Sequence, residues 1–149
     1  MSSNPLKPLR VMLIAILILL FFQYELGITV NFSNLPSIPA FGFSILQISD
    51  ALHQAGSAAL IHAILGAWLV ILAAINLILS LRSKVRSAQV YGVLSFLSMI
   101  FAGGGGLFFV LSGFQDDNAS HAMATNFLLC FVLLFLELYS IKPEKAKVN

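Results

Sequence analysis

Residues 58–81 read AALIHAILGAWLVILAAINLILSL, and residues 82–87 read RSKVRS. The first stretch contains no Lys, Arg, Asp or Glu. At about 1.5 Å per residue it is long enough, as a helix, to cross the roughly 30 Å of hydrocarbon in a bilayer. The second stretch places Arg82, Lys84 and Arg86 in one short connection. Lys and Arg in short loops are retained on the cytoplasmic side, so this pair of stretches predicts a membrane helix and the side on which it ends.

Outward from there the pattern repeats. Further apolar runs span about 11–30, 88–113 and 120–141. All eight basic residues fall beside alternate ends of the runs: Lys7 and Arg10, the three just named, and Lys142, Lys145 and Lys147. The stretches Glu25–Ser57 and Phe114–Ser120 contain no Lys or Arg. The expectation is an all-α integral membrane protein, a bundle of four transmembrane helices with both termini cytoplasmic, multi-pass in the cytoplasmic membrane. Residues 1–149 then form a single membrane domain. With 59% hydrophobic and only 9% charged residues, the composition excludes an ordinary soluble domain, for which about a quarter charged is usual. The net charge of +2 marks the cytoplasmic face and calls for no nucleic-acid partner. The expected partners are the lipid bilayer and other membrane subunits or further copies of the chain. Cys130 is the single cysteine, so no intrachain disulfide can form.

The first run follows a basic leader, as a secretory signal would, but Gln23-Tyr24-Glu25-Leu26 offers no small-x-small cleavage site, and an uncleaved helix is expected. Residues 31–57 form an outer loop broken by Pro36, Pro39 and Gly42, yet rich in Phe and Ile. Its second half, Phe43–Ala55, reads as a short helix along the interface. Gly56 and Ser57 are the expected break, because one helix from Phe43 to Arg82 would be about 60 Å long, twice the hydrocarbon thickness.

Ionisable groups inside spans are the functional candidates, and here they are His62, His121 and Glu137. His62 stands twenty positions before Arg82 and His121 twenty-one before Lys142, so the two imidazoles share a depth near the outer boundary. Facing helices with such a pair can ligate haem iron from both sides. Gly104 and Gly105, within the run Gly103–Gly106, and Gly66, one turn beyond His62, would make room for the ring. Each feature has a plainer reading: a boundary histidine wetted by water and headgroups, and glycines that let helices pack closely. His53 is expected to be solvated. Glu137 is expected to snorkel to the surface or pair with Arg82 or Lys142. Asn76 and Asn126 read as interhelical hydrogen-bond partners, and Trp68 as core packing. The sequons at Asn31 and Asn118 lie on the expected outside.

This arrangement resembles heme A synthase, which is built from four-helix units whose second and fourth helices each bring in a haem-ligating histidine near the outer face. His62 and His121 stand where that pair would stand, and the loop 31–57 is similar in placement and size. The resemblance implies haem b held by these two residues. It also has departures: where the substrate-side unit carries a glutamate and an arginine around its helix-two histidine, this chain has Ala59 and Ala63, and the loop cysteines are absent. The resemblance is thus to a cofactor-holding unit and not to one that oxygenates a haem methyl group. The leading expectation is a small b-type haem protein that passes electrons or holds haem near the outer face; the alternative is a non-redox accessory or structural subunit of a larger membrane complex. Neither is expected to be a stand-alone enzyme. A transporter ranks behind both, because no broken helices recur in two matching halves.

Overall fold

The computed structural model describes residues 6–141. Among the described residues the structure is all-helical: α1 Lys7–Phe32, α2 Ile45–Ala55, α3 Ser57–Arg82, α4 Arg86–Leu111 and α5 Asp117–Ser140. Four of them, α1, α3, α4 and α5, are long and apolar enough to cross a membrane.

Local chemistry sets the boundaries. Pro8 lies in the first turn of α1, where its missing N–H removes no helical bond. Gly56 has φ +98°, a region L side chains avoid, and it turns the chain between α2 and α3 where the break was expected. α4 stops at Leu111, two residues short of the expected end, as Gly113 and Phe114 take positive φ. Asp116 caps α5 by accepting from the Ala119 N–H at 3.1 Å.

The long helices pack in the cyclic order α1–α3–α4–α5, with α5 returning to α1. The diagonal pairs, α1 with α4 and α3 with α5, make no direct backbone contact. Leu9, Leu13, Ile16 and Leu20 of α1 are buried against Leu69, Ala73, Cys130 and Leu134. On α4 the buried face is mostly small: Ala88, Gly92, Ser95, Ser98, Ala102 and Gly105. Small residues let backbones approach, and α4 packs closely on both neighbours through them. A Cβ on Gly105 would lie 2.9 Å from the Met123 backbone nitrogen, and one on Gly92 would lie 2.6 Å from the Ser80 Cβ. Large apolar side chains face outward on all four long helices, including Phe101, Phe108, Leu128 and Phe135.

The two ends of the bundle differ. One, the basic end, carries Arg82, Lys84 and Arg86. The other, the loop end, is closed by residues 33–44 and α2. The loop crosses to the α4–α5 turn, where the Phe41 N–H donates to the Leu111 carbonyl at 3.0 Å. Gln115 donates to the Ser37 hydroxyl at 2.9 Å. α2 rests on α3 and α4, burying Ala51 and Leu52 while leaving Phe43, Ile45 and Leu46 exposed around its start.

Candidate functional site

Two polar clusters lie within the apolar bundle. The first is near the loop end, between α1 and α3. The Gln23 side chain, 7% exposed, donates through Nε2 to the His62 carbonyl at 3.1 Å, and the same nitrogen is 3.2 Å from the His62 Nε2. An amide nitrogen has one hydrogen for each contact, which assigns Nε2 of the imidazole as an acceptor and leaves the ring proton on Nδ1. That Nδ1 and the Gln23 Oε1 are both buried without a partner. Two glycines seat the pair. A Cβ on Gly27 would lie 3.2 Å from the His62 ring, and one on Gly66 would lie 3.2 Å from the Gln23 amide nitrogen.

His62 is therefore turned toward α1. His121, in the second turn of α5, is exposed and makes no hydrogen bond in the structure. The two imidazoles stand on diagonal helices and are not brought together. The glycines named with them divide among other tasks. Gly66 lies under Gln23, Gly105 under the α5 backbone and Gly106 under the Met123 sulfur at 3.1 Å, while Gly104 alone borders open space. As placed, these residues do not fit a ring ligated from both sides by His62 and His121. His53 is exposed and its Nδ1 is 2.8 Å from the Ser49 carbonyl of its own helix. No group of three or more His, Cys, Asp or Glu with metal-ligating placement occurs among the described residues.

The second cluster lies near the basic end, between α3 and α5 and under α4. Glu137 is fully buried. Its Oε2 accepts from the Asn76 amide nitrogen at 3.0 Å, and its Oε1 is in contact with the Ser80 hydroxyl. Ser80 is also 2.7 Å from the Asn76 carbonyl, and the Asn76 Oδ1 is buried without a partner. Gly92 closes the cluster from α4, because a Cβ there would meet both Ser80 and the Glu137 carboxyl at 3.3 Å or less. This corrects the expectation that Glu137 snorkels or pairs with Arg82: it turns inward, onto neutral partners. Lys142, its other expected partner, lies outside the described residues. Asn76 bonds across helices as expected. Asn126 does not, donating instead to the Ala122 carbonyl of its own helix at 2.8 Å. Trp68 is 58% exposed and packs in no core, another correction.

Gln23 and Ser80 complete these clusters without having stood out as candidates in the sequence. Gln23 carried a usable signal: it is the one amide in the first apolar run, with Gly27 one turn further on the same face. Ser80 gave none, since a serine at a helix end is ordinarily solvated. No protein-family model, curated protein or solved structure matches this chain.

Proposed function

We propose that the protein is a multi-pass protein of the cytoplasmic membrane, with both termini cytoplasmic, that serves as a non-redox accessory subunit of a larger membrane assembly. One observation carries this reading: inside the bundle, His62 and Glu137 are each committed to a neighbouring helix. Gln23 holds one, Asn76 and Ser80 hold the other, and glycines cover both. Groups arranged in this way join helices. The basic stretches support the orientation. The test is purification from native membranes in mild detergent, measuring particle mass and absorption spectrum on one sample. We expect a particle of defined mass well above the 16.2 kDa chain, with no haem spectrum that depends on His62 or His121. A homogeneous monomer would refute the reading.

A second reading, haem b held between α3 and α5, is favoured by the open flank of Gly104. It also draws on the resemblance to heme A synthase. Its ligands would be His62 and His121, and haem would supply one-electron chemistry there. It requires that His62 leave Gln23. Under this reading His62→Ala and His121→Ala each abolish a low-spin spectrum and His53→Ala leaves it intact. A colourless wild-type protein from haem-replete cells would eliminate it.

A further inference from the structure

We propose that Glu137 is a membrane-buried proton-binding site, holding its proton in the folded protein and able to release it by a turn of the Ser80 hydroxyl. Ser80 Oγ has two oxygen neighbours, the Asn76 carbonyl at 2.7 Å and the Glu137 Oε1, and a hydroxyl has one hydrogen. With an ionised carboxylate, one of those contacts would be two oxygens facing each other without a proton. With a neutral carboxyl, Glu137 Oε1–H donates to Ser80, Ser80 donates to the Asn76 carbonyl, and Oε2 accepts from the Asn76 amide. Every contact among these atoms then has its hydrogen.

The surroundings agree. The groups that face Glu137 are Asn76 and Ser80 of α3 and Gly92 of α4, none of them charged. On its own helix, Cys130 is buried two turns earlier on the same face, and Tyr139, two residues on, is exposed on the other side. Lys7 and Arg10 of α1, Arg82 of α3, Lys84, and Arg86 and Tyr91 of α4 make no ion pair or hydrogen bond with it. A buried carboxylate without a cation is costly, and a neutral acid avoids that cost. A metal ion suits the cluster less well. The amide presents its nitrogen to the carboxyl, which turns the Asn76 Oδ1 away from any ion placed there.

Release is balanced simply. The Glu137 O–H bond breaks, the proton passes to water, and the Ser80 hydrogen swings from the Asn76 carbonyl to Oε1. The carboxylate then keeps two donors, Ser80 and Asn76, while the contact between Ser80 and the Asn76 carbonyl loses its hydrogen, which favours return of the proton.

Infrared spectroscopy of the full chain in lipid nanodiscs at neutral pH tests this. We expect a protonated-carboxyl C=O band that shifts down in D2O and is lost in Glu137→Gln. In Ser80→Ala the same band should move to higher wavenumber, because the carboxyl loses the acceptor of its proton; this arm holds even if the glutamine variant fails to fold. Absence of a protonated-carboxyl band in the wild type overturns the proposal, as does a band indifferent to both substitutions. Loss of the band on adding sodium or calcium at fixed pH would also overturn it, in favour of a cation site.

Discussion

The Gln23–His62 contact and the Asn76–Ser80–Glu137 cluster are both polar groups inside an apolar bundle, but they are finished differently. Near the loop end two polar atoms on opposite helices, Gln23 Oε1 and His62 Nδ1, stay unpaired, and the covering glycines leave 3.2 Å to flexible side chains. Near the basic end all but one polar atom is matched, and the cover is a close backbone approach, with 2.6 Å from a Cβ on Gly92 to Ser80. An unpaired buried polar atom costs about 1–3 kcal/mol, so the first contact is the looser joint and the second the firmer one.

The largest effect is expected from topology. Cysteines placed at Ser37 and Asn118, near the looser joint, should react with an impermeant reagent from outside intact cells, and one at Ser83 should not. Labelling at Ser83 alone would put the Glu137 cluster at the outer face. The next largest effect is expected from Gly92→Val, which drives a branched side chain into Ser80 and the Glu137 carboxyl. We expect it to destabilise by about 3 kcal/mol in detergent melting, against about 1 kcal/mol or less for Gly66→Ala. Equal losses would erase the distinction between the two covers.

Ser80→Ala and Asn76→Ala each strip a partner from a buried carboxyl and should cost about 1–3 kcal/mol. Gln23→Leu should cost less, about 1 kcal/mol, because it removes an unpaired oxygen together with the donor. The smallest expected quantity is the coupling in a Gln23→Ala/His62→Ala double-mutant cycle, about 0.6 kcal/mol, typical of a polar contact within a membrane bundle. A coupling several times larger would make the loop-end joint the firmer one.

The legible part of this protein was its course along the chain. The four long helices, the turn at Gly56 and the separate short helix before it all follow from hydropathy and from what glycine permits. The polar candidates were legible as a set, since His62, Asn76 and Glu137 interrupt apolar runs. Their partners were not. Glu137 read as a surface-seeking acid because it lies one turn from the helix end, and only the rotation of α5 turned it inward. His62 and His121 read as a pair because they share a depth, and depth says nothing about azimuth.

Backbone hydrogen bonding and apolar length are properties of consecutive residues, so the chain alone located each long helix to within a few residues of its ends. The tertiary structure alone decided which way each helix faces. A helix that is apolar all round has no polar stripe to orient it. Its rotation is chosen by where small residues let a neighbour approach, at Gly27 and Gly66 for His62 and at Gly92 for Glu137.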